Sequence, residues 1–206
     1  MNAQSIEVWM IAISHSEISQ LYVKECSPSW KNYNLNFFEA ITPRSLPSLN
    51  ELSFFKKNIS NKPFTDTEKA VWYSHYLLWK KCWEEEKPLI IIEHDSILRK
   101  DIGEVGRSKL LSFLKGRKFY KSDPVENGNI LSPGSGYVIF PDDIITLINH
   151  CKHISISGNV DGYIRSYIQK KYGWPSDFSY IEQIKIDNLA TIYHGRKSEY
   201  NIVEPE

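Results

Sequence analysis

The sequence predicts an α/β protein built on an open, mostly parallel sheet, and three observations carry that expectation. An apolar run at residues 6–14 (IEVWMIAIS) reads as an interior strand. A short amphipathic helix and a second apolar run at residues 35–41 (LNFFEAI) follow it. A long helical pattern at residues 66–86 then leads straight into the continuous apolar stretch LIIIE. Strands covered on both faces are apolar throughout, as in parallel sheets, and their alternation with helices marks α/β organisation.

Each element has a local reason. In the first run Val8, Trp9, Ile11 and Ile13 place apolar side chains on both faces. Ser14 and Glu17 have capping-box spacing for the helix after it, with Ile18, Leu21 and Tyr22 as its apolar stripe. Residues 42–62 contain Pro43, Pro47 and several Ser and Asn, which predicts a long irregular loop of the kind that carries function. Thr65 and Glu68 form a second capping box and open the best-defined helix. Trp72, Tyr76, Trp79 and Trp83 recur at spacings of three or four, beside Val71, His75, Leu78 and Cys82, which predicts a wide buried face. Pro88 ends that helix, and three successive isoleucines put the next strand in the middle of the sheet. Further on, the pattern predicts a short helix at 109–114, a short strand at 118–121 and a turn-rich loop at 127–135. A strand at 136–140, a helix opened by Pro141, a helix at 161–172 and a late strand at 180–186 complete the chain. The expectation is one domain over residues 1–200 and a loose tail at 201–206.

Composition narrows the function classes. Lys plus Arg and Asp plus Glu balance at 25 each, which argues against a protein living on nucleic-acid phosphates. Cys26, Cys82 and Cys151 lie far apart with no CxxC pair, so neither a zinc knuckle nor a disulfide framework is expected. Reduced thiols fit a cytoplasmic protein. No apolar run approaches the ~20 residues of a membrane span, so no transmembrane segment is expected. The N-terminus also lacks the basic start and cleavage site of a signal peptide.

Four constellations could carry chemistry. Glu93, His94 and Asp95 close the isoleucine strand, and ligands of open α/β sheets bind at strand carboxyl ends. Two carboxylates two residues apart on an extended chain point the same way. They are hard ligands for Mg²⁺ or Mn²⁺, and such an ion neutralises a diphosphate leaving group. The alternative is a pair of solvated acids at a loop start. Second, Glu68 and His75 are two helical turns apart and share a face, with Ser74 beside them; a core histidine is the plainer reading. Third, in Ser135, Gly136 and Tyr137, with Gly134 before them, two glycines bracket a serine and could let backbone approach a ligand, or could form a simple turn. Neither GxGxxG nor GxxxxGK[ST] occurs. Fourth, Asp161 and His194 read singly as surface residues; with the acidic strand end they would supply a base and a further metal ligand.

Taken together, FTDTEKAVWYSHYLLW and PLIIIEHDSIL resemble the core of glycosyltransferase family 25, the lipooligosaccharide and collagen galactosyltransferase group. Glu68, Ser74, His75 and Trp79 match the family's helix pattern. Glu93 and Asp95 match the outer acids of its Glu-Asp-Asp strand end, and His94 replaces the central Asp. FFEAIT (37–42), GSGYVIFPDDIITLI (134–148) and VDGYI (160–164) fit in order, with a weaker echo at 193–201. AISHSEIS departs from the family by lacking arginine, and Val71 and Trp72 stand where small residues are common.

The resemblance implies a GT-A-type three-layer α/β/α sandwich with a central, mostly parallel sheet. It also implies metal-dependent transfer of a hexose, galactose or glucose, from a nucleoside-diphosphate sugar to an acceptor hydroxyl with inversion. The donor would be a uridine diphosphate hexose, and the acceptor a glycan or another hydroxyl. In this reading Asp95 is the principal ligand of Mn²⁺ (or Mg²⁺), His194 is a further ligand, and Asp161 is the general base with Asp177 in reserve. Glu93 orients the ribose or the metal shell, and His94 beside it meets the donor. Glu68, Ser74 and His75 line its sugar and phosphate pocket, Ala40, Ile41 and Thr42 lie beside the nucleobase, and Ser135 and Gly136 approach the donor. Two alternatives stay open: a catalytically silent binding module of the same fold, and a metal-dependent nucleotidyltransferase or phosphoesterase.

Overall fold

The computed structural model describes residues 2–47, 65–98, 101–103, 136–153, 160, 163–164 and 181–184. Among the described residues the main sheet has four strands: β1 (Glu7–Ala12), β2 (Asn34–Glu39), β3 (Leu89–Glu93) and β5 (Gly136–Ile139), in the spatial order β2-β1-β3-β5. β1 pairs in parallel with both β2 and β3, and β5 closes the other edge antiparallel to β3. β4 (Ser96–Leu98) and β6 (Ile181–Gln183) form a separate antiparallel pair. The expected mixed α/β architecture with a mostly parallel sheet is therefore what the chain forms.

β1 and β3 are central, and their residues show it. Val8, Met10 and all four apolar residues of β3, Leu89 to Ile92, are fully enclosed. Edge strand β2 is half-exposed, with Phe37 open to solvent. The chain leaves β1 for β2 on one side and returns over β1 to β3 on the other. Right-handed crossovers then put the two connecting helices on opposite faces. Helix α2 (Asp66–Glu84) lies on the face that carries Trp9, Ile91 and Tyr137, which are register partners across the sheet. Lys81 of α2 stands 4.6 Å above the Trp9 ring. α3 (Pro141–His153) packs against α2. α1 (Glu17–Cys26) contacts β1 and β4 from the opposite side.

Local expectations met different fates. The Thr65–Glu68 capping box is present: Thr65 Oγ1 accepts from the Glu68 amide, and Glu68 accepts from the Thr65 amide at 2.8 Å. The box expected at Ser14 is displaced. Ser16 caps α1, accepting from the Ser19 amide, while the Ser14 amide donates to the Glu39 carboxylate. The turn leaving β1 is held by Ser19 Oγ, which accepts from the Ile13 amide at 2.9 Å, so the helix starts two residues later. Trp83 was expected inward but is 45 % exposed; the inward stripe runs instead through Ala70, Trp72, Ser74, His75, Leu78, Trp79 and Cys82. β4 was not anticipated, because three residues are too few for a periodic signal. The late strand is found as β6, shorter than expected and outside the main sheet. The features expected at 109–114, 118–121 and 127–135, and nearly all of that at 161–172, lie outside the described residues.

Gly136 opens β5 where the strand lies closest to its neighbours. A Cβ there would come within 2.9 Å of Ile92 Cγ2 and 3.1 Å of Ile181 Cδ1. Real carbon contacts do not close that far, and the enclosed core has little room to yield. Gly136→Ala is expected to lower stability by about 1–3 kcal/mol, seen as a lower urea midpoint with an unchanged slope. A midpoint equal to the wild type would show that β5 and β6 are not packed this tightly.

Candidate functional site

The carboxyl ends of β1 and β3 mark the position where the strand order reverses, the usual crevice for ligands in open α/β sheets. Ile13 and Ser14 leave β1 at this edge, Ala40 leaves β2, and Glu93, His94 and Asp95 leave β3. Three backbone anchors shape it. The Ala40 amide extends the ladder to the Ala12 carbonyl at 2.7 Å. The Ile41 amide then turns away to Ser74 Oγ at 2.9 Å, and Ser74 Oγ itself donates to the Ala70 carbonyl at 2.9 Å. Thr42 donates its amide to Ser45 Oγ and opens a single turn of 3-10 helix, Pro43–Ser45. Ser74 thus pins residues 40–42 to α2, and its donor proton is spent within the helix.

The acidic cluster does not continue the strand. Glu93 is the last residue of β3, and His94 and Asp95 form a turn. The expectation that Glu93 and Asp95 point the same way along an extended chain is therefore corrected, because the alternation ends with the strand. Glu93 faces α2: its Oε1 lies 3.8 Å from His75 Nε2. His94 turns to α1, with its ring 5.4 Å from that of Tyr22. Asp95 is only 4 % exposed, and its charge reaches Cys26 of α1. Burial first, with Asp95 and then Glu25 adding to it, pushes the Cys26 thiol up to about 12. Burial is also the main cause that raises Cys82 to about 12. Both thiols are free and buried, so they are inert as nucleophiles.

His75 is enclosed on α2. Its Nδ1 lies 2.8 Å from Tyr137 Oη, and the same phenol oxygen accepts from Trp79 Nε1 at 2.8 Å. Tyr137 belongs to the third constellation and Trp79 to the family's helix pattern, but the sequence assigns neither a role in the site, because each reads as core until a buried polar partner is seen beside it. Glu39 was missed likewise; its carboxylate holds the Ser14 amide and stands 3.8 Å from His15 Nδ1. Glu68 sits at the first turn of α2, engaged in its capping box. Gly136 is buried between Ile92 and Ile181. Ser135, Asp161, Asp177 and His194 lie outside the described residues.

For a divalent ion, the donor set has the right chemistry in part. Asp95 offers a carboxylate. His94 offers a neutral imidazole whose Nε2 is buried with no hydrogen-bond partner among the described residues. Nitrogen and carboxylate oxygen together suit Mn²⁺. Among the described residues no group of three His, Cys, Asp or Glu converges to complete a shell.

A family model described as glycosyltransferase family 25 (LPS biosynthesis protein) matches residues 13–131, more than half of the chain. The chain belongs to glycosyltransferase family 25. The matched stretch holds α1, β2, α2, β3 and β4, and so carries both the Ser74–His75 helix and the Glu93–Asp95 turn. The lipooligosaccharide biosynthesis protein lic2B of Haemophilus influenzae is 41 % identical over 71 residues, which are 34 % of this chain and 26 % of that protein. The chain thus spans about a quarter of the length of this relative. The apo crystal structure of mouse xyloside xylosyltransferase 1 overlays 90 % of this chain and 99 % of its own, with a TM-score of 0.41 and 9 % identity. Among the described residues no helix is long and apolar enough to cross a membrane.

His94 makes stability depend on pH in a defined direction. Burial lowers its pKa from 6.5 to about 4, partly opposed by a hydrogen bond to the Ile11 backbone. Between those values the unfolded chain binds a proton that the folded chain does not, so stability falls as pH drops from 6.5 towards 4. In metal-free buffer, the loss across that window is expected to be on the order of a few kcal/mol. His94→Gln should remove most of this slope in urea titrations. An identical slope in the variant would show that the ring is not desolvated.

Proposed function

We propose that this chain is a glycosyltransferase that moves a hexose, galactose or glucose, from a uridine diphosphate sugar to an acceptor hydroxyl with inversion. The observation that carries the reading is the meeting, at the β1/β3 switch point, of the two segments most typical of its family. His75 of the α2 pattern stands 3.8 Å from Glu93 of the acidic strand end, eighteen positions later. In this reading residues 40–42, pinned by Ser74, flank the nucleobase. Glu93 orients the ribose or the metal shell, and Asp95 with His194 would hold Mn²⁺ or Mg²⁺. When bound, the ion would take up charge developing on the departing diphosphate.

Inversion needs one in-line displacement, so a single base must take the acceptor proton; Asp161 is assigned that role. Orienting donor and acceptor together supplies much of the remaining acceleration. The name of the relative, a lipooligosaccharide biosynthesis protein, supports a glycan acceptor. A second reading, a silent binding module of the same family, is favoured by His94. A buried, neutral ring stands there in place of a family carboxylate, which removes one negative charge from the metal site of the first reading.

Calorimetric titration of uridine diphosphate with and without Mn²⁺ tests the donor assignment. The ion is expected to tighten binding roughly tenfold or more by clamping the diphosphate, and Asp95→Ala should abolish that gain. If Asp95→Ala binds as well as the wild type with Mn²⁺, the metal assignment fails. Release of nucleoside diphosphate from any one of a panel of sugar nucleotides, lost in Asp161→Asn, would exclude the silent module. No release from any donor would favour it.

A further inference from the structure

We propose that Glu39 selects the nucleobase of the donor: its carboxylate accepts from a ring N–H, which admits uracil and guanine and turns away cytosine and adenine. The inference rests on the donor-site reading above and deepens it by naming the residue that reads the base.

The carboxyl end of β2 opens into a cavity of about 200 Å³ beside α1, lined by Ala12, Ser14, Gln20, Val23, Phe37 and Glu39 among others. Ala12 and Glu39 are register partners, and Phe37 stands two residues before Glu39. The three therefore share one face of the sheet, the face towards Gln20 and Val23 of α1. Phe37 is 54 % exposed, so the cavity has an aromatic wall open to a stacking partner.

The wall around the carboxylate is built in advance. Ser19 Oγ accepts from the Ile13 amide, and Gln20 Nε2 donates to the Ile13 carbonyl at 3.0 Å. The Ser14 amide divides its one proton between the two Glu39 oxygens, at 3.1 and 3.2 Å. A carboxylate has about four acceptor positions, and one shared N–H takes at most two of them. His15 Nδ1 stands 3.8 Å from Glu39 Oε1, too far for a hydrogen bond. The Glu39 side chain is 55 % exposed, so the remaining positions are open to a ligand in the cavity it lines.

A carboxylate accepts and does not donate. On their pairing edges uracil and guanine present a ring N–H. Cytosine and adenine present a bare ring nitrogen there, whose lone pair would face the carboxylate. A site that hydrogen-bonds one substrate group discriminates strongly against an analogue that lacks it. Stacking on Phe37 is tolerant of base identity, so the choice between bases falls to Glu39. The placement also suits the rest of the donor. Glu39 lies opposite Ala12 and Glu93 opposite Ile11, on the two sides of β1. Strand spacing puts their backbones ~10 Å apart, a span that a nucleoside lying across the strand ends can bridge.

Calorimetric titrations of the whole chain at neutral pH, with Mn²⁺ present, test the assignment. The wild type should bind uridine diphosphate roughly tenfold or more tighter than cytidine diphosphate. Glu39→Gln keeps an acceptor for the Ser14 amide and offers an amide that pairs with either base. It should bring the two ligands within about threefold of each other. Phe37→Ala should weaken both alike, by roughly fivefold or more. Equal binding of the two ligands by the wild type, or an unchanged preference in Glu39→Gln, would mean that Glu39 only holds the turn after β1. Unaltered binding of both by Phe37→Ala would overturn the cavity as the base site. If Glu39→Gln does not fold, the wild-type preference and Phe37→Ala still decide. No binding of any nucleoside diphosphate by the wild type would overturn the donor-site reading and the role of Glu39 together. Binding of guanosine diphosphate in place of uridine diphosphate, with adenosine diphosphate refused, would overturn the uridine donor and support the role of Glu39.

Discussion

The parallel pairing of β1 with β3 is the constraint on which the rest of the structure depends. Trp9 pairs with Ile91 and Ile11 with Glu93, with β2 and β5 outside them. Two central strands running the same way cannot be joined by a tight turn, so the chain must cross over through helices. Crossovers of one hand that depart to opposite sides leave helices on both faces and a gap above the strand ends. Glu93 is placed at that gap by register alone, and the turn at His94 and Asp95 divides the cluster between the two helical layers.

Helix α2 reconciles two demands. Its inward stripe is mostly apolar and aromatic, yet it includes Ser74 and His75, both buried. Each polar group is matched by a partner from a distant segment: Ile41 for Ser74 and Tyr137 for His75. An unmatched polar group in that layer would cost on the order of 1–3 kcal/mol. The helix therefore docks in a position that gives Ser74 Oγ and His75 Nδ1 each a partner. In doing so it fixes the turn after β2 and approaches Glu93, so packing and site construction are the same event.

The cost of burial also sets the chemistry of the turn. Withdrawn from water, His94 stays neutral well below its usual range, and Cys26 keeps its proton. A carboxylate at position 95 that reaches a buried thiol lies in a different environment from one beside His75. Two acids that look equivalent in the string EHD therefore lie in different surroundings: Glu93 stands beside His75 of α2, and the charge of Asp95 reaches Cys26 of α1.

The sequence by itself determined the strand–helix–strand opening, the capping box at Thr65 and the central place of LIIIE, because periodicity and capping are encoded within a few neighbouring residues. It also marked Glu93, Asp95, Ser74 and His75 as candidates and carried the family resemblance. It misplaced the cap of α1 and turned Trp83 inward, since both depend on which neighbour wins a shared contact. Only the tertiary structure decided that Glu93 and Asp95 face different helices, that Ser74 holds Ile41, and that Tyr137 joins Trp79 to His75. The hydrogen-bonded partners among these lie 33 to 62 residues apart, and no local pattern records a distance that is set by the docking of a helix on a sheet.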